Sequence, residues 1–184
     1  AVVQELLRND YEVLALDRVG CSGNLPEDGR VRFLPCDLAE ISHLKKTLPG
    51  QSFDVFYHFA WAGSAGPARA DTALQLQNAQ WTVDALRAAK ELGCSRFLCA
   101  GSIMEHETMA AAYAQGNRPG QGYIYGGGKL IAHVMCMSVA AQIGIDLIWP
   151  EITNAYGVGE RSPRLVNTTI QKCIRGEIPQ FTAG

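Results

Sequence analysis

No pair of cysteines stands in a CxxC arrangement in this 184-residue chain, although it has six of them. Cys21, Cys36, Cys94, Cys99, Cys136 and Cys173 mostly fall in apolar strand or helix patterns, where a free thiol behaves as a small hydrophobe. No metal site is expected, and a reducing cytoplasm is favoured over secretion. Long hydrophobic runs are also missing. The longest uncharged stretch, Leu130 to Ile145, contains His133, Ser138 and Gln142 and is shorter than the roughly 20 apolar residues a spanning helix needs, so no membrane segment is expected. Charge of neither sign dominates: the net charge is −2 and Lys and Arg are scattered, leaving no electrostatic footprint for nucleic acid or an anionic membrane. A small neutral or anionic ligand fits better. Internal repeats and low-complexity tracts are absent too.

What is present is enough apolar content, 47%, for one globular domain with a real core. Short runs rich in β-formers, "EVLALD" (12–17), "VRFLPC" (31–36), "DVFYHFA" (54–60), "RFLCAGS" (96–102) and "IDLIWP" (145–150), alternate with helical patterns over 37–48, 73–93 and 124–144. This rhythm predicts an α/β fold with a doubly wound, Rossmann-like parallel sheet, and continuous apolar runs suit strands buried on both faces. Segment 103–122 has weak periodicity and reads as a loop with one short helix at most. The chain opens without Met on "AVVQELLRNDYEVLALD", the back half of a helix running into a strand, and stops on "GEIPQFTAG". It therefore reads as an internal piece of a longer protein.

In open α/β sheets ligands sit outside the carboxyl ends of the strands, so the residues there are the ones to inspect. Asp17 ends its strand where a carboxylate can accept both ribose hydroxyls of an adenosine and repel a 2′-phosphate; Arg18 beside it leaves NAD and NADP both open. Asp37, ahead of Leu38, is a good N-cap for the next helix and can be a ligand residue as well, since the two roles can coexist. "DVFYHFAWAG" supplies His58, Ala60 and Trp61 at the end of a third strand, as contacts to a flat cofactor or as plain packing. Ser102 closes the strand "RFLCAGS". Tyr125 and Lys129, at i and i+4, share one helical face, where the ammonium can stabilise a phenolate. With a serine hydroxyl on the same substrate oxygen, this is an acid/base device for a carbinol that loses or gains a hydride. Gly126, Gly127 and Gly128, each costing a helix about 1 kcal/mol, are expected to keep side chains away from cofactor or substrate.

In order, "VLALD", "CDLAE", "DVFYHFAW", "NAQWTVDALRAAKELGCSRFL", "YIYGGGK" and "PEITNAYGVGE" resemble successive motifs of an extended short-chain dehydrogenase/reductase of the NAD-dependent epimerase/dehydratase family. The resemblance runs through nearly the whole chain. It implies Tyr125 as general acid/base, Lys129 as tuner of Tyr125 and ligand of the nicotinamide ribose, and Ser102 as the group that polarises the substrate oxygen. It implies Asp17, Arg18, Asp37, Leu38, His58, Ala60, Trp61 and Asn78 around NAD, with NADP possible. Asn154 and Tyr156 fall beside a nucleotide-sugar substrate. Residues 1–160 would be a dinucleotide-binding domain, incomplete at its start, and 161–184 the beginning of a substrate-binding region. The glycine-rich GxxGxxG loop is absent, and with it the first strand, central in the order 3-2-1-4-5-6. Glu151 replaces the Arg of LRxxN, and Gly128 the Ser of YGxSK.

Family members that dehydrate a sugar carry an extra acid directly after the catalytic Ser or Thr. Here Ile103 and Met104 stand there and Glu105 falls late, which favours 4-epimerisation or 4-keto reduction over dehydration. The rival class is a non-catalytic NAD(P)-binding redox sensor on the same fold, which tends to lose the tyrosine. Finally, the helix from Gly128 to Ile143 is apolar all round and must be covered on both sides. One side can pack on the sheet; the other, with the helix around Leu76 to Leu92, is expected to meet its copy in a homodimer.

Overall fold

The computed structural model describes residues 1–114, 116, 119–153, 155–157 and 165–181. It divides into two compact units, 1–151 and 152–184. In the first, strands β1 (Val13–Asp17) and β2 (Val31–Pro35) pair in parallel, with Val13 opposite Val31 and Asp17 opposite Pro35. Strands β3 (Val55–His58), β4 (Arg96–Cys99) and β6 (Asp146–Ile148) form a second parallel sheet in the order β3-β4-β6; the two-residue strand β5 (Gly101–Ser102) follows β4 directly. Among the described residues no strand joins the two sheets, in keeping with a doubly wound sheet that lacks its central first strand. They still feed one core: Leu14, Leu16 and Leu34 pack against the cluster that contains Leu44, Leu86, Leu92 and Phe97.

The helices are α1 (Val2–Arg8), α2 (Leu44–Thr47), α3 (Thr72–Glu91), α4 (Met104–Tyr113) and α5 (Tyr123–Ile143) in the first unit, and α6 (Leu165–Ile174) in the second. Asp71 caps α3 by accepting the Leu74 N–H at 3.1 Å, and α5 stops at Gly144, whose left-handed φ of 65° suits glycine. Two elements differ from expectation. The helix expected over 37–48 is a 3-10 helix, Leu38–His43, followed by the single turn α2. Ile41 and Leu44 bury three residues apart, the spacing that a 3-10 helix puts on one face. In the segment read as a loop, α4 runs for ten residues and buries only Glu105 and Ala111, which explains the missing periodicity.

By length and composition alone α5, with a mean hydropathy of 1.2, could cross a membrane. One side of it is packed: Gly126, Gly128, Lys129, Ala132, Cys136 and Ala140 are buried where the helix meets α3 and α4. Away from that side Ile131, Val134 and Met135 are exposed, as is Leu76 of α3.

Candidate active site

The loop that follows β3 is fixed from below by two buried amides of α3. Asn78 Oδ1 accepts the Ala62 N–H at 2.9 Å while its Nδ2 donates to the Ala62 carbonyl at 2.8 Å. Gln75 Oε1 accepts the Trp61 indole N–H at 2.7 Å, and its Nε2 donates to the carbonyls of Gly63 and Ala68. Gly63, with φ 69°, has no room for a Cβ, which would lie 2.9 Å from that of Ala68. Trp61 is thereby held as a wall.

Against that wall stands Lys129. Its Nζ lies 3.8 Å from the Trp61 ring centre and donates to the Ala100 carbonyl at 2.9 Å, at the junction of β4 and β5. Burial pushes the amine below its ordinary range. One helical turn earlier, the half-buried Tyr125 meets Trp61 edge-on at 6.0 Å, and the Arg69 guanidinium lies 4.2 Å from its ring centre. Arg69 is itself tied to the Ser64 carbonyl at 3.1 Å. Nothing in the sequence pattern singled it out, because the contact depends on the 3-10 turn Pro67–Ala70.

Ser102 is buried at the end of β5. Its Oγ accepts the Met104 N–H at 3.3 Å, which leaves the hydroxyl proton available to a ligand oxygen. Its backbone N–H donates to Glu105 Oε1 at 2.8 Å. Glu105 is only 2% exposed and also accepts from Trp149 Nε1 at 3.1 Å and His133 Nδ1 at 2.8 Å. The rings of His133 and Trp149 stack at 4.5 Å. Farther out, His106 Nε2 and Glu151 pair at 2.7 Å, and ligand-type atoms of Glu105, His133 and Glu151 lie within 4.8 Å of one another. The sequence had Glu105 only as an acid out of place and His133 only as a break in an apolar run.

The three glycines serve packing more than access. A Cβ on Gly126 would run into Thr108 Oγ1 and come within 2.6 Å of the Met104 carbonyl, so α4 could not lie so close to α5. A Cβ on Gly128 would stand 3.0 Å from the Gln75 Cβ and carbonyl oxygen of α3, which also accounts for glycine where the resembling motif has serine. Of the three, Gly127 alone faces open space.

Trp61 thus touches both Tyr125 and Lys129, and Lys129 is bonded two residues ahead of Ser102. The other residues singled out in the sequence lie elsewhere. Asp17 and Arg18 are exposed at the end of β1, with the Arg18 N–H donating to Asp17 Oδ1 at 2.7 Å. Asp37 caps the 3-10 helix by accepting the Ala39 N–H at 2.9 Å, and Leu38 behind it is half-buried. Ala60 is exposed at the end of β3. His58 is in the core, stacked on Phe97 at 5.8 Å and 3.4 Å from Thr82 Oγ1; burial first, and the charge of Lys129 second, push its imidazole down to about 3. Tyr156, in the second unit, is exposed, and Asn154 lies outside the described residues.

The model of the NAD-dependent epimerase/dehydratase family matches residues 1–183. The chain belongs to that family. No curated protein sequence matches it. Among solved structures, this epimerase/dehydratase chain is similar to UDP-glucuronic acid 4-epimerase from Bacillus cereus in complex with NAD, at 20% identity and a TM-score of 0.70, covering 96% of this chain and 60% of that one. It is similar to UDP-N-acetylglucosamine 4-epimerase from Methanobrevibacter ruminantium M1 at 17% identity and a TM-score of 0.71, with 96% and 59% covered. WbmG of Bordetella bronchiseptica in complex with NAD gives 16% identity and a TM-score of 0.69, with 96% and 56% covered. At these identities the likeness is one of fold, and the epimerase/dehydratase chain spans about three-fifths of the length of the structures it matches.

Proposed function

We propose that this chain is the dinucleotide-binding part of an NAD-dependent enzyme that epimerises, or reduces at a 4-keto group, the sugar of a nucleotide-diphosphate sugar. The observation that carries the reading is the Lys129 ammonium, buried one helical turn beyond Tyr125 and bonded to the Ala100 carbonyl beside Ser102. A buried cation is costly unless paired, and among the described residues this one meets a carbonyl and an indole face, with the charge of Glu105 acting on it from farther off. It is placed to favour negative charge on the phenol one turn away. Tyr125 would take the proton of the sugar hydroxyl and return it, and Ser102 would donate its free hydroxyl proton to the same oxygen.

The residues fit NAD at both of its riboses. Asp17 presents an exposed carboxylate that, among the described residues, is engaged by the next residue's N–H and is suited to two ribose hydroxyls, with Asp37 and Leu38 beyond β2 on the adenine side. Ala60, Trp61, Asn78 and Lys129 would line the nicotinamide end, with His58 behind them. When bound, NAD supplies the acceptor and donor of the hydride. Arg18 keeps NADP open as a second cofactor. Glu105 favours epimerisation or reduction over dehydration, since its carboxylate is buried and taken up by three donors. Asn154 and Tyr156 belong with the sugar nucleotide in this reading.

The test is Tyr125→Phe in the full-length protein, assayed against UDP-glucuronic acid, UDP-N-acetylglucosamine and UDP-galactose. Turnover should fall by about 10²–10⁴ with NAD affinity little changed. A variant within twofold of wild type overturns the assignment. A wild type that binds NAD but exchanges hydride with none of the three substrates points to a sensor. The reading includes a homodimer formed through the exposed faces of α3 and α5, and a cytoplasmic location, since all six cysteines are free thiols.

A further inference from the structure

A carboxylate that is 2% exposed costs several kcal/mol in desolvation unless donors surround it, so a buried glutamate calls for a reason. Glu105 has three donors from three elements: the Ser102 N–H of β5, the Trp149 indole that follows β6, and His133 Nδ1 of α5. Tyr125, Lys129 and His133 stand at i, i+4 and i+8 and so share one face of α5. Two of them reach the strand end that carries Ser102. Lys129 bonds the Ala100 carbonyl ahead of it, and His133 bonds the carboxylate that holds the Ser102 N–H. Gly101 keeps the space open: a Cβ there would lie 2.5 Å from Trp149 Nε1 and 3.1 Å from Glu105 Oε1.

We propose that Glu105 is a positioning residue for Ser102: through His133 it ties the strand end that carries the serine to the helix face that carries Tyr125 and Lys129. The role rests on the catalytic reading of Ser102 given above. Glu105 fixes the serine backbone and the Met104 N–H takes one lone pair of the hydroxyl oxygen, so the hydroxyl proton is free to point to a ligand oxygen. Without the carboxylate, the Ser102 N–H is a buried donor without a partner and the turn must shift to satisfy it. Displacements near 1 Å from a supporting group can cost about 10²-fold in rate.

The experiment compares Glu105→Met, which fills the volume without a strong acceptor, with Glu105→Gln, which keeps Oε1, in the full-length protein. Hydrogen exchange of the Ser102 amide reads the clamp itself; kcat, KM and NAD affinity on the same three UDP-sugars read its consequence. Glu105→Met should lose Ser102 amide protection and about 10- to 100-fold in kcat with NAD affinity unchanged, and Glu105→Gln should restore most of both. Should Glu105→Met fail to fold, His133→Phe keeps a ring against Trp149 while removing the donor, and should show the same signature more weakly. Wild-type protection and kcat in Glu105→Met overturn the proposal. So do equal losses in the Gln and Met variants, or losses that track NAD affinity and melting temperature. Ser102→Ala separates the two readings: if it turns over like wild type the catalytic reading falls, whereas a dead Ser102→Ala beside an active Glu105→Met sinks the positioning role alone.

Discussion

Histidine 58 shows how one residue can carry two histories. Its place at the end of an apolar strand suggested a cofactor contact; the fold buries the imidazole between Phe97 and Thr82 and pushes its pKa from 6.5 down to about 3. The native state therefore keeps the ring neutral where the unfolded chain would bind a proton. The sign follows: this contribution to stability is fully present above pH 6.5 and is lost as pH falls from there toward 3, by up to about 1.4 kcal/mol per pH unit. Urea midpoints of wild type and His58→Asn from pH 7 to pH 4 check it. The wild type should lose stability more steeply than the variant, and parallel curves would remove His58 as a source of acid sensitivity. Tyr125, Lys129 and Trp61 were legible because a fixed spacing on one helix and one strand end defines them. Glu105 was not, since its meaning depends on Trp149 and His133, which lie 44 and 28 residues away and meet it only in the fold.

At the scale of elements, long helices and apolar strands followed from periodicity, and α3 and α5 lie within two residues of the expected bounds. That the sequence allowed no more than one short helix where α4 stands has a plain cause: a helix that buries two residues leaves no stripe to read. The glycines of α5 make a sharper case, because sequence shows that three glycines are there and only packing tells them apart. Gly127→Ala, into open space, should stabilise the fold by about 0.5–1 kcal/mol through helix propensity. Gly126→Ala should destabilise it by about 1–3 kcal/mol, because the Met104 carbonyl is backbone and cannot swing aside. Thermal melts of the two variants should shift in opposite directions; shifts of the same sign would show that α4 does not press on α5 as described.

For the whole molecule, the alternation of short apolar strand runs with longer helical patterns was enough to read the doubly wound α/β class. Assembly is a different matter, because an apolar helix face says that something covers it and not what. With Leu76, Val134 and Met135 each more than half exposed, the proposed cover is a second copy. Light scattering of the full-length protein at micromolar concentration should give twice the monomer mass, and Leu76→Glu with Val134→Glu should halve it. A monomeric wild type refutes the dimer. Within the first unit the two sheets share side chains in one core but, among the described residues, no ladder of backbone bonds. The seam between them is thus held by apolar contact, with the Arg32 side chain reaching Gln51 across it at 2.9 Å. Apolar contact weakens on cooling. The seam is accordingly where cooling should act first, while each sheet, laced by its own backbone ladder, should keep its internal pairing.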